Sequence, residues 1–305
     1  MQIKTIVGKV DELVYTKTVK VTTAGNTIKV QSMSRQNTRQ TVEKLSKDEY
    51  IVTSTGEVRL AEHSENRGQN INGLVKTISR LRDLLNANVT EPKNMLWITL
   101  TYAENMTDTE RLYHDSKNFH LRLNRYFKKS EIPQPIYFDV VEPQERGAWH
   151  IHEILIWERE APFIPNCKLE ELWRNGFVMI KKISDNCDNI GAYLTPYLTD
   201  LEINDDVAQI IGDSTNENVI ERETYQDGEK KAKKFIKGAR LFMYPPGMNL
   251  FRHSRGIKEP ITEEMTYFQA KEKVSGATKT FEKSVLLTGE TYNSIIYTEY
   301  YNTKR

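Results

Sequence analysis

The sequence predicts an α+β fold: an antiparallel central sheet with helices packed on one face, plus additions at both termini. Two observations carry this. Apolar spacing switches between the two-residue period of strands and the helical period, block after block, between residues 73 and 183. The blocks also run strand, helix, strand, strand, helix, strand, and the short turn Pro143–Gly147 joins the middle strands as a hairpin.

The elements follow in order. Leu74, Ile78, Leu81 and Leu85, with Val75 and Leu84 alongside, recur on one face of an amphipathic helix over 73–88. Met95–Tyr102 (MLWITLTY) reads as a strand. Thr107–Glu110 has the S/T-x-x-E form of a capping box, and Leu112, Ser116, Phe119, Leu123 and Phe127 then mark one helical face. Pro135–Glu142 and Ala148–Trp157 are the hairpin strands, and a short helix near Leu169–Arg174 stops at Gly176, a candidate C′ residue. Phe177–Ile183 is the last strand and Asp188–Leu201 a final helix. This order matches the split βαβ, ferredoxin/RRM-like pattern. Composition places a β-rich polar segment at 1–68, the core domain at 69–201, and an acidic loop followed by a basic extension at 202–305.

Across 305 residues, 43 Lys and Arg nearly cancel 42 Asp and Glu, so a polycationic tail is excluded and any nucleic-acid contact needs locally sorted charge. Residues 200–228 hold nine acids against one base, which reads as a solvated loop, and residues 229–258 hold nine bases against one acid. The second block interleaves Lys230, Lys231, Lys233, Lys234, Arg252 and Arg255 with Phe235, Phe242, Tyr244 and Phe251, the composition of a phosphate- and base-contacting surface or of a solvated face over core aromatics. Cys167 and Cys187 are the only cysteines, with no CxxC pair, which points to a reducing compartment. No apolar run reaches the roughly 18–20 residues of a membrane span and no signal-peptide pattern opens the chain, so a soluble cytoplasmic protein with no membrane partner is expected. No GxxxxGK[ST] phosphate loop is present, which argues against an ATP-driven motor.

The chemistry-bearing residues gather in the core. His150 and His152 lie two apart on a strand, so both belong to one face, about 7 Å apart at Cα. Glu142 ends the partner strand and can reach that face; Glu153 points to the opposite one and Glu145 lies in the turn. Two imidazoles and a carboxylate suit a divalent ion with open positions. Tyr193 and Tyr197, four apart on the final helix, are either an aromatic packing stripe or nucleophiles.

WITLTY at 97–102, the stretch from Glu142 through Gly147 to His150–Ile151–His152, and NIGAYLTPYLTD at 189–200 together resemble motifs 1, 2 and 3 of HUH endonucleases. Their order and spacing are similar to those of rolling-circle replication initiator (Rep) proteins of bacterial plasmids and phages, over roughly residues 72–260. The resemblance implies the HUH endonuclease fold and a Mg²⁺- or Mn²⁺-dependent nickase and strand transferase. Its substrate would be single-stranded DNA at a replication origin, with a host helicase as partner. It implies that Glu142, His150 and His152 hold the metal, that Tyr197 is the nucleophile and that Tyr193 is auxiliary. Relatives carry Lys three residues after each tyrosine, where this chain has Pro196 and Asp200; Lys181 and Lys182 are candidate substitutes. A relaxase- or transposase-type enzyme with the same site, and a catalytically degenerate DNA-binding relative, are the alternatives.

Overall fold

The structure, a computed structural model, describes residues 2–7, 15–35, 41–61, 71–144, 147–181, 183, 189–191, 201–202, 219–226, 229–236, 243–288 and 293–302. The chain divides into two compact units, one from Met1–Ser64 with Glu259–Arg305 and one from Glu65–Lys258.

The first unit contains strands β1 (Gln2–Val7), β2 (Thr18–Ala24), β3 (Thr27–Met33), β4 (Val42–Lys44), β5 (Glu49–Val52) and β6 (Val58–Leu60). After residue 258 it adds β15 (Ile261–Thr266), a short helix α4 (Tyr267–Lys273), β16 (Thr278–Thr288) and β17 (Asn293–Tyr301). Six of these strands form one antiparallel sheet in the order β1-β16-β17-β3-β2-β15, and β4, β5 and β6 form a small meander. The tight turn between β2 and β3 needs a positive φ, which Gly25 supplies at 58°. Val19, Val21, Ile28 and Val30 form its core beneath Ala270 of α4, whose N-terminus is closed by a Thr266–Gln269 capping box. Composition separates 1–68 from 202–305, yet the structure sorts both chain ends into one sheet. Ladders between strands more than 250 residues apart, such as β1 with β16, leave no local trace in sequence.

The second unit carries α1 (Ile71–Asn88), β7 (Met95–Tyr102), α2 (Thr109–Lys129), β8 (Ile136–Pro143), β9 (Trp149–Ile156), α3 (Asn166–Trp173), β10 (Gly176–Lys181), β11 (Leu201–Glu202), β12 (Val219–Gln226), β13 (Glu229–Ile236) and β14 (Phe251–His253). Its central sheet is antiparallel throughout, in the order β10-β7-β9-β8-β14. β9 thus lies between β7 and β8, the two strands that α2 connects, which is a split βαβ arrangement. The expected strands and helices of the core stand within a few residues of their positions in sequence.

Helix α2 begins one residue later than the capping-box pattern places it. Asp108, not Thr107, is the N-cap, its Oδ1 accepting from the Glu110 and Arg111 amides at 2.8 and 3.1 Å. Its apolar face is the expected one: Leu112, Ser116, Phe119, Leu123 and Phe127 are all buried. They pack with Leu169, Leu172 and Trp173 of α3 against Ile98, Leu100, Val141, Ile151, Leu155 and Val178 of the sheet. Helix α3 ends on Arg174 in the left-handed region at φ 68°, so Gly176 is not its C′ residue. Gly176 instead opens β10 at φ 151°, where a Cβ would lie 2.4 Å from the Ala103 amide nitrogen and the Thr101 carbonyl oxygen.

The sequence predicts helices on one face of the sheet, but the structure places them on both. Helices α2 and α3 cover one side, while Leu81, Leu84 and Leu85 of α1 pack on the other side against Trp97, Phe138, Val140, Ile154 and Ile156, with Ile183 and Ile190. An amphipathic pattern shows that a helix has a sheet to cover, not which side it covers.

The acidic stretch expected to be a solvated loop contains β12, which pairs with the basic strand β13 in a three-stranded sheet ordered β11-β13-β12. Its register sets Glu221 opposite Lys234, Arg222 opposite Lys233, Thr224 opposite Lys231 and Tyr225 opposite Lys230. The charge blocks that look separate along the chain are laid beside each other by the ladder. Among the described residues, no helix is long and apolar enough to cross a membrane.

Candidate active site

Adjacent residues of β9 serve opposite faces of the sheet, so the two sides carry different polar groups. On the α1 side, β9 sets His150 opposite Glu142 of β8 and Thr101 of β7, and sets His152 opposite Val140 and Thr99. The His152 Nε2 and the Glu142 Oε2 are in direct contact. Both residues are buried, at 8% and 5% exposure, so their bond is shielded from water. Behind the ring, Trp97 Nε1 donates to His152 Nδ1 at 3.2 Å, and Thr99 Oγ1 lies 3.2 Å from the same nitrogen. An indole N–H can only donate, so Nδ1 carries the lone pair and Nε2 carries the proton given to Glu142. Burial, with the Lys181 ammonium adding to it, lowers the His152 pKa to about 4. His152 is therefore neutral at physiological pH, as a ligand must be.

His150, half-buried, stands beside this pair on the same face, but the three side chains do not bring their ligand atoms together as closely as a second group does. Lys181, on edge strand β10, places its ammonium 4.6 Å from the Trp97 ring centroid. Tyr193, Tyr197 and Lys182 lie outside the described residues. The start of their segment is described: Ile190 packs with α1 on the His152 side of the sheet. Asn86 of α1 accepts from the Gly191 amide at 2.9 Å and donates to Asn189 Oδ1 at 3.0 Å. A Cβ on Gly191 would come within 2.5 Å of the Arg82 carbonyl oxygen, so glycine is what lets the segment pass this close to α1.

On the α2 side, Asp139 of β8 and Glu153 of β9 lie directly opposite each other, both with no exposed surface. Two like charges in one rung are destabilising unless cations meet them. His120 of α2 does so at Glu153, its Nε2 2.9 Å from both carboxylate oxygens, and its ring lies over that of Tyr137 at 4.0 Å. Arg252 of β14 does so at Asp139, with Ser116 of α2 bonding to both. Burial alone would lower the His120 pKa, but the charge and hydrogen bond of Glu153 raise it above its usual value. Among the described residues, His120, Asp139 and Glu153 are the one group of His, Cys, Asp and Glu whose ligand atoms all lie within 4.8 Å, and they could hold a metal ion.

Arg252, expected on a DNA path, is instead committed to this network and to the Tyr113 ring, 4.4 Å from its guanidinium carbon. Arg255 stands exposed in the turn that follows β14. Sequence reasoning did not find the His120 network, although a signal was present: Asp139 and Glu153 interrupt strands that are otherwise apolar, and Ser116 and His120 recur four apart beside a buried helical stripe.

No curated protein and no solved structure matches the chain. Residues 95–202, about a third of the chain and the whole run from β7 to β11, match the family model for the replication-associated protein ORF2, which supports a replication initiator of Rep type.

Proposed function

We propose that this protein is a metal-dependent nickase and strand transferase that starts rolling-circle replication on single-stranded origin DNA. The observation that carries the reading is the buried Glu142–His152 pair beside His150 on one sheet face, with the chain leading into Tyr193 and Tyr197 tethered to that side at Gly191. The donor set of one carboxylate and two imidazoles fits Mg²⁺ or Mn²⁺ and leaves positions for phosphate oxygens. Closure on an ion would need His150 to turn its ring towards the pair. The Nε2 proton of His152 would then give way to the ion, and Thr99 Oγ1 would accept from Nδ1–H, holding the ring in place. The bound ion supplies Lewis-acid polarisation of the scissile phosphate.

The His120 triad is the weaker metal site on charge grounds. Arg252 and a protonated His120 already balance Asp139 and Glu153, so an ion there would have to displace a proton and crowd a guanidinium.

In the reaction, the Tyr197 phenol loses its proton and its Oη attacks phosphorus. The P–O3′ bond breaks, the 3′-hydroxyl leaves with a proton, and a 5′-phosphotyrosine remains. Tyr193 would attack in a second transfer. Lys181, Lys182, Lys230, Lys231, Lys233, Lys234 and Arg255 would contact the backbone, and a host helicase would open the duplex in the cytoplasm. Incubation with single-stranded origin DNA and Mn²⁺, followed by mass spectrometry of the tyrosine adduct, tests the reading. An adduct that is lost in Tyr197→Phe supports it. Wild type without an adduct would favour a binding relic, for which Pro196 and Asp200 in place of lysines are the motive.

A further inference from the structure

Edge strand β10 buries alternate residues, Val178 and Ile180, against the α2-side core. Its other residues face the His152 side, where they are not absorbed by packing: Phe177 is 66% and Met179 is 60% exposed. Register sets Phe177 opposite Thr101 and Met179 opposite Thr99, the β7 residues that in turn pair with His150 and His152. Two strand spacings separate the two rows, so the apolar shelf begins about 10 Å from the histidines on the same face. A single exposed apolar side chain is unremarkable, but two neighbours on one face, beside polar groups able to hold a phosphate, are a different observation. Lys181 continues the row and gives it a positive charge, which suits a polyanion over an apolar partner. The shelf is also fixed in place, since Gly176 lets β10 start in close contact with the end of β7.

We propose that Phe177 and Met179 form a stacking platform for a nucleobase of single-stranded DNA next to the scissile phosphate. The location relative to the cut rests on the proposed nuclease reading; the platform as a single-strand binding site does not. A ring and a thioether offer a base its face without a hydrogen-bond code, so the contact fixes where the strand lies and tolerates sequence. It also favours single strands, because paired bases present no free face.

The test measures binding by fluorescence anisotropy, in EDTA, of a labelled mixed-sequence DNA oligonucleotide about 20 nucleotides long. Wild type is compared with Phe177→Ala, Phe177→Tyr and the Phe177→Ala/Met179→Ala double variant, with thermal melting to confirm folding. Phe177→Ala should weaken binding by roughly 5–150-fold, Phe177→Tyr should restore it, and the salt slope should stay as in wild type because every cation that meets a phosphate is still present. Wild-type affinity in the double variant, or no binding of the oligonucleotide by wild type, overturns the platform. A parallel nicking assay with Mn²⁺ keeps the two ideas apart. Nicking by wild type with an unimpaired double variant removes the platform and leaves the nuclease. Weakened binding in the double variant without nicking by wild type leaves the platform and removes the nuclease.

Discussion

The two faces of the central sheet use the same strands in opposite ways. His152 and Glu153 are neighbours in sequence, yet His152 is buried as a neutral ring against Glu142, Trp97 and Thr99, while Glu153 is buried as one member of a four-charge network with His120, Asp139 and Arg252. On the first side α1 covers only the rows of Trp97, Val140 and Ile154, and the rows of His150 and Phe177 are left partly open. On the second side α2 and α3 close over the sheet, and both Asp139 and Glu153 have a cation. The difference teaches that polar residues in a buried strand are not evidence of a site by themselves. A network that balances its own charge ties elements together, while ligands held beside an open row can receive a substrate.

The comparison breaks first if the open face is not the reacting one. His150→Ala is expected to lower nicking by more than about 100-fold, since even partners lying behind metal ligands are worth roughly 10–100-fold, while much of the DNA binding survives. An unimpaired His150→Ala enzyme would move the chemistry elsewhere.

The closed face is expected to show its role in stability. Glu153→Ala leaves Asp139, His120 and Arg252 buried with unbalanced charge, and denaturant melts should report a loss of about 3–5 kcal/mol. Losses well below about 1 kcal/mol would mean that the network contributes little.

Asn86→Ala sharpens the picture of the open face. It removes both bonds to Asn189 and Gly191, at a cost of about 1–3 kcal/mol for the buried groups left behind. Nicking should fall further than oligonucleotide affinity, because the tyrosine segment loses its tether.

The two histidines should titrate in opposite directions. His152, whose ring is neutral in the fold down to about pH 4 against 6.5 when unfolded, contributes stability above pH 6.5 that is lost as pH falls towards 4. His120, whose folded value lies above 6.5, contributes stability below pH 6.5 that is lost as pH rises through that folded value. Imidazole NMR titration of the metal-free protein should separate them, and His120→Gln should flatten stability above neutral pH.

The smallest expected effect concerns the basic strand. Neutralising Lys230, Lys231, Lys233 and Lys234 should reduce the salt slope of single-strand binding by roughly 0.7 for each phosphate that no longer meets a lysine. An unchanged slope would mean that pairing with β12 leaves these lysines no part in DNA binding.

The sequence by itself determined the periodic core. The faces of α1 and α2, the strands β7 to β10, and the shared face of Glu142, His150 and His152 all follow from local spacing, because side-chain direction is set by the backbone period. Tertiary structure alone decided which side of the sheet α1 takes, since either side could bury its apolar stripe. It decided that β1 pairs with β16 and that acidic β12 pairs with basic β13, because ladders join residues by space and not by sequence. It also decided the partners of the buried charges. Glu153 and Arg252 read as a spare acid and a DNA-binding base along the chain, and only the meeting of α2, β8, β9 and β14 turns them into a closed ionic network.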